Sequence, residues 1–204
     1  MKHCFTNAGV KTADWWIAFN NGLFRAKHAD VETPQAELPY PIVAKSHYGS
    51  KGMGNTLIES AEALREWMIG KNLNKYIFEK YVNFHKEFRI HCSTNGIFCA
   101  FRKLRKEGTE RWFFNTNNCV FKTVDLETIK DSPFWKNVEE DLIKALKELK
   151  LDLAGFDVRI NRDYTDFSII ESNSAPGLLN IGTQAYYNEI IKLFKQKCND
   201  DNTN

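Results

Sequence analysis

The residues best suited to chemistry lie in Ile169-Ile170-Glu171-Ser172-Asn173-Ser174-Ala175-Pro176-Gly177-Leu178. A hydrophobic strand here ends in a carboxylate and a carboxamide two residues apart. The two-residue period of a strand puts Glu171 and Asn173 on one face. Two oxygen donors on one side of a rigid strand suit a hard cation such as Mg²⁺, which takes one or two carboxylates and completes its shell with water and phosphate oxygens. Asp157 lies 14 residues earlier, on a stretch that the polar turn Arg162–Asp166 allows to pair antiparallel with this strand, so it can reach the same cation. An isolated E-x-N more often just caps a sheet edge. The longer pattern E-x-N-x-x-P-G with an upstream Asp favours the metal reading.

A second group begins with Lys45, which ends the apolar run Pro41-Ile42-Val43-Ala44 directly before the glycine-rich segment His47–Asn55. Glycines there let backbone N–H groups approach a polyphosphate, with Lys45, Lys51 and Gly52 as candidate contacts. The pattern is not the Walker loop, because no helix follows at the required spacing. A glycine-rich hairpin alone reads as a turn, but a lysine ending a buried strand is uncommon without a partner. Glu79, Lys80, Tyr81 and Val82 offer backbone amides and carbonyls flanked by apolar side chains, as an adenine edge requires. Glu87, eight residues after Glu79, is placed to receive ribose hydroxyls. Glu87, Arg89 and His91 alternate with Phe88, Ile90 and Cys92; taken alone, an ordinary half-exposed strand is the simpler account. The basic cluster Arg102, Lys103, Arg105, Lys106 and Arg111 is diluted by Glu107 and Glu110, and such runs are usually solvated. The strand Ile97–Phe101 leading into it can turn one or two of these cations toward a cleft. Asn115, Asn117 and Asn118 are substrate contacts or, equally, turn formers.

The elements that must hold these groups read as follows. A short helix ends at Gly9 and an extended stretch follows. Lys27–Leu38 reads as a loop and Pro41–Lys45 as a buried strand. A helix capped by Ser60 and closed by Gly70 comes next. Tyr76–Phe78, Glu87–Cys92 and Gly96–Leu104 read as strands, the last two joined by a tight Asn95-Gly96 turn. Val138, Leu142, Ala145, Leu146 and Leu149 mark an amphipathic helix. Strands Ala154–Asn161 and Phe167–Asn173 precede a last helix over Tyr186–Lys197. This order predicts two α+β lobes rather than a regular βαβ array: a first over residues 1–80, a second over 81–198, and a frayed tail 199–204.

Composition excludes several classes. A net charge of +2 is too small to indicate nucleic acid, and no apolar run approaches a membrane span. Five scattered cysteines without a C-x-x-C pair indicate neither zinc nor a disulfide framework, and with no signal-like N-terminus they suggest a cytoplasmic protein. The five histidines show no metal-ligand spacing, and no Ser-His-Asp or Cys-His arrangement is visible.

Taken in order, P-I-V-A-K (41–45), G-S-K-G-M-G (49–54), F-E-K-Y-V (78–82), E-F-R-I-H (87–91), A-G-F-D-V (154–158) and I-I-E-S-N-S-A-P-G-L (169–178) resemble the ATP-grasp superfamily. The chain is most similar to its glutamate-ligase-like group, which includes ribosomal-protein glutamate ligases, and to small phage-encoded members. The resemblance implies an ATP-grasp fold in which two lobes hold Mg-ATP between antiparallel sheets. It implies Lys45 on the α-phosphate, Lys51 and its loop over the phosphates, residues 79–82 on adenine and Glu87 on ribose. Asp157, Glu171 and Asn173 would hold Mg²⁺, and Arg89 and Lys103 would lie near the transferred phosphoryl group and substrate carboxylate.

The reaction implied is carboxylate–amine ligation through an acyl phosphate, on amino-acid or peptide substrates. The alternatives are a non-catalytic nucleotide-binding module and a phosphotransferase. Family ligases usually carry a further N-terminal domain, whereas this sequence starts almost at the first grasp helix. That leaves a minimal version, a fragment, or a partner (a second copy or another protein) that supplies the missing wall.

Overall fold

The computed structural model describes residues 1–20, 22–26, 32–48, 54–109, 112, 118–176 and 180–201. Helix α1 (Lys2–Asn7) ends at Gly9, whose φ of 65° is a left-handed conformation that costs glycine little. The first sheet follows: β1 (Trp15–Asn20), β2 (Leu23–Ala26), β3 (Glu32–Pro34), β4 (Ile42–Ser46), β5 (Thr56–Ile58) and β6 (Tyr76–Lys80). Helix α2 (Ala61–Met68) lies between β5 and β6 in sequence. The second sheet consists of β7 (Lys86–Ser93), β8 (Gly96–Arg105), β9 (Cys119–Thr123), β10 (Leu153–Ile160) and β11 (Phe167–Asn173). Helix α3 (Pro133–Leu149) precedes β10, and α4 (Asn180–Asp201) follows β11.

Strand order is β3-β2-β1-β6-β4-β5 in the first sheet and β11-β10-β7-β8-β9 in the second, with every pairing antiparallel. Each sheet buries one face against a helix. On the first, Trp16, Phe24, Ile42, Phe78 and Leu64 of α2 form one core. On the second, Phe88, Ile90, Phe156, Val158 and Ile169 meet Val138, Leu142 and Leu146 of α3. On the opposite face of the second sheet, α4 covers one end, where Tyr186 packs against His91 and Phe98 and Glu189 accepts from Ser93 Oγ at 2.6 Å.

Several boundaries differ from the sequence reading. Within the predicted loop 27–38, Glu32–Pro34 pairs with β2 and Gln35–Glu37 forms a 3-10 turn. The strands Thr56–Ile58 and Cys119–Thr123 were not anticipated: runs so short show no periodicity, and sheet pairing alone defines them. Helix α4 starts six residues earlier and ends four later than the predicted Tyr186–Lys197. The Ser60 cap is present, with Oγ accepting from Ala63 N at 3.2 Å.

Although α1 comes first in the chain, it packs in the core of the second sheet: Phe5 is fully buried and its ring lies 6.5 Å from that of Phe156. Residues 10–12 then run along β11, with Ile169 N donating to Lys11 O at 2.9 Å and Thr12 Oγ1 to Ile169 O at 2.8 Å. The chain crosses to the first sheet at Asp14, whose carbonyl accepts from Lys80 N at 2.9 Å. Hence the crossing into the first sheet lies beside the crossing out of it, at residues 81–85. Among the described residues, no helix is long and apolar enough to cross a membrane.

Candidate functional site

Register sets the site. Asp157 on β10 is the cross-strand partner of Glu171 on β11 and of Arg89 on β7. Two residues along, Arg159 on β10 faces Glu87 on β7, which faces Lys103 on β8. Alternation directs these side chains away from the α3 core, so two parallel polar rows cross the opposite face of the second sheet.

The rows are knitted by ion pairs. Arg89 grips Asp157 through Nε and, at 3.0 Å, through Nη2. Lys103 Nζ donates to Asp157 at 2.5 Å and to Glu87 at 2.8 Å, and Arg159 Nε donates to the other Glu87 oxygen at 2.8 Å. Lys103, Asp157, Glu87 and Arg159 are all buried. Burial alone would raise the Asp157 pKa, but Lys103 and Arg89 hold it well below the usual carboxylate range. Lys103 is likewise kept protonated against burial by Asp157 and Glu87. Glu171 behaves oppositely: burial and then the neighbouring Asp157 raise its pKa, with Lys45 opposing. It is therefore the carboxyl of this set that lacks a matching cation. Asn173 Nδ2 contacts it at 3.4 Å.

Three donors reach Asp157, and a carboxylate offers about four lone-pair sites, so one remains for a cation. The donors available to a metal are thus two carboxylates and a carboxamide, all hard oxygens, which fits Mg²⁺. Among the described residues there is no cluster of three or more His, Cys, Asp or Glu placed to hold a metal ion.

The first sheet contributes a second charged group. Lys45 Nζ donates to Glu79 at 2.8 Å, and Lys2 Nζ lies 3.3 Å from the same oxygen. Lys2 also bonds Thr12 Oγ1 at 2.6 Å and Ile169 O at 3.4 Å, so one buried ammonium ties α1, β6 and β11 together. Two lysines thus share one carboxylate. Burial would raise the Glu79 pKa, but Lys2 and Lys45 lower it. Burial, with Lys45 adding to it against Glu79, lowers that of Lys2 to about 8. The remaining Glu79 oxygen is buried with no hydrogen-bond partner, as expected of an acceptor placed to receive a donor from elsewhere.

Of the hinge residues, Lys80 N and Tyr81 N already bond Asp14 O and Pro41 O, and Val82 O accepts from Arg159 at 3.2 Å. Arg159 also lies over the rings of Tyr81 and Phe84. A cavity of about 400 Å³ opens beside them, lined by residues 83–87 and 102–105. From the basic cluster, Lys103 faces the polar rows, whereas Arg102 is directed by alternation to the opposite face. Lys51, Gly52, Arg111, Asn115, Asn117, Gly177 and Leu178 lie outside the described residues.

Sequence reasoning missed two members. Arg159 could have been found, since it stands two residues after Asp157 on the same strand face. Lys2 could not: only tertiary packing shows that the N-terminal helix delivers its side chain beneath β6.

His91, two residues beyond Arg89, is buried and hydrogen-bonded through Nδ1 to Tyr186 at 2.6 Å. Burial, then the Arg89 charge, lowers its pKa from 6.5 to about 4. Between these values the unfolded chain binds the extra proton. The stabilisation is therefore complete above pH 6.5 and is lost as pH falls toward 4, by at most roughly 3 kcal/mol. In urea titrations, the stability gap between the native chain and His91→Gln is expected to shrink across this window. A constant gap would mean that His91 accepts a proton in place.

A family model for the RimK-like ATP-grasp domain matches residues 17–196. No curated protein sequence matches. An ADP complex of PurK, an N5-carboxyaminoimidazole ribonucleotide synthetase, is similar with a TM-score of 0.60 at 20% identity, over 89% of this chain and 45% of its own. D-alanine–D-alanine ligase from Bacillus anthracis with ATP gives 0.60 at 15% identity, over 88% of this chain and 56% of that one. The ATP-grasp ligase PsnB, with precursor peptide PsnA2 and AMPPNP, gives 0.58 at 13%, over 89% and 50%. The chain spans about half the length of these structures.

Proposed function

The chain belongs to the RimK-like ATP-grasp domain family, and on that premise we propose that it is an ATP-dependent carboxylate–amine ligase. In the proposed reaction the γ-phosphoryl group of MgATP is transferred to a substrate carboxylate, breaking its bond to the β-phosphate oxygen and releasing ADP. The amine then attacks the acyl carbon, phosphate leaves, and the amine proton passes to solvent. Bound Mg²⁺ would neutralise phosphate charge during transfer.

The observation that carries this reading is the placement of Glu171, a half-buried carboxyl with no ion-pair partner among the described residues, directly across the strand pair from Asp157. Glu171, Asn173 and the free lone pair of Asp157 are the proposed metal ligands. Lys45 is assigned to phosphate oxygens, as are Lys51 and Gly52 of the glycine-rich segment. The nucleobase is assigned to Glu79, Lys80, Tyr81 and Val82, with the unpartnered Glu79 oxygen as an acceptor, and the ribose to Glu87. Arg89 and Lys103 would hold charge near the transferred group. Such a site works by alignment and charge neutralisation rather than by acid–base side chains. The proposed substrates are amino acids or peptides, because PsnB was captured with a peptide on the same fold.

The test is turnover with pooled carboxylates and amines, measuring ADP and phosphate together. Release of both that needs both substrates is expected. AMP and pyrophosphate, or a stable phosphorylated product without an amine, would overturn the ligase assignment. Saturable AMPPNP binding with no turnover in any pool would mark a binding module.

A further inference from the structure

We propose that the α3 face of the second sheet carries a separate anion pocket, which takes a small carboxylate attached to a flat apolar body. Although Arg102 also borders the cavity lined by residues 83–87, the alternation of β8 stands it with Phe88 on the α3 side of the sheet. There a cavity of about 490 Å³ is lined by Arg102, Lys122, Ile129, Ser132, Trp135 and Tyr164, a size that suits a small ligand.

Four observations converge on this cavity. Arg102 and Lys122 stand directly opposite each other on β8 and β9, and like charges so placed repel. Among the described residues neither has a carboxylate partner, and Arg102 Nε is a buried donor with no hydrogen bond. Carboxylates of the adjoining segment are engaged locally: Asp125 accepts from Glu127 N at 3.1 Å, and Glu127 pairs with Lys130 at 3.6 Å. Second, Ser132, the N-cap of the 17-residue helix α3, lines the cavity and makes no side-chain cap bond.

Third, the remaining walls are apolar. Trp135 packs edge-on against Phe88 at 5.3 Å, and Phe88 is the cross-strand neighbour of Arg102. Fourth, Tyr164 closes one side from a left-handed backbone (φ 54°), which a tyrosine seldom adopts. Lys86 lies 4.1 Å over its ring and Phe134 meets it edge-on at 5.7 Å. An anion between Arg102 and Lys122 would relieve their repulsion and satisfy the guanidinium. The planar fork of Arg102 matches a carboxylate, and Trp135 and Tyr164 suit a flat body. This pocket does not depend on the ligase assignment.

Phenylacetate is the probe, with phenylacetamide as its neutral twin, followed by calorimetry and by the arginine Nε–H resonances in ¹⁵N spectra. Saturable phenylacetate binding that moves the Arg102 Nε–H signal is expected, weakened at least about tenfold in Arg102→Gln and in the exposed Lys122→Gln. It should persist beside saturating Mg-AMPPNP. The proposal is overturned if phenylacetate does not saturate, if phenylacetamide binds equally, if folded Lys122→Gln binds undiminished, or if Mg-AMPPNP competes.

Discussion

Glu171→Ala is expected to bind AMPPNP with the same affinity in Mg²⁺ as in EDTA, whereas the native chain should bind it on the order of 100-fold more tightly when Mg²⁺ is present. The reasoning rests on which carboxyl group is spare. Asp157 is held by Arg89 and Lys103, and Glu87 by Lys103 and Arg159. Glu171 has no ion-pair partner among the described residues, and the charges of Lys45 and Lys103 do not offset burial and the repulsion of Asp157, so its negative charge is unfavourable until a cation arrives. Removing it should also relieve strain between the two carboxyls, leaving the fold at least as stable as before. Calorimetric titration with and without Mg²⁺, together with a urea midpoint, checks both parts. A variant that keeps its Mg²⁺ dependence would remove Glu171 from the metal site and point to Asp157 and Asn173 alone.

Lys103→Met should be the most damaging single change for stability, lowering it by about 3–5 kcal/mol. Its ammonium is buried between two carboxylates, and a thioether of similar length leaves both with one partner fewer in a place where water cannot substitute. Since a domain of this kind is stable by only about 5–15 kcal/mol, the variant would unfold at a much lower urea concentration. Adding Asp157→Asn should recover part of the loss, because it removes one of the stranded charges. A loss under about 1 kcal/mol in Lys103→Met would show that Arg89 and Arg159 suffice to hold Asp157 and Glu87.

Much of this site can be read from residue order. Alternation alone predicts that Glu87, Arg89 and His91 share a face, and that Glu171 and Asn173 share another. The turn at Arg162–Asp166 predicts that Asp157 meets Glu171, and the structure pairs them. The helices α2 and α3 were equally visible, since a cap at Ser60 and a 3.6-residue apolar period are local signals.

What residue order leaves open is the arrangement across long separations. Nothing local tells whether Lys103 or Arg102 faces the carboxylates, because which face of β8 is buried depends on α3 packing against the second sheet. The short strands β5 and β9 exist only through their neighbours. Lys2 is the extreme case: its ammonium meets Glu79, 77 positions away in the chain, because Phe5 and Val10 anchor α1 in the second core. Side-chain periodicity acts over a few residues and is written into the sequence. The pairing of charges brought together from opposite ends of the chain is set by the burial of apolar surface, which ranks whole arrangements rather than single segments.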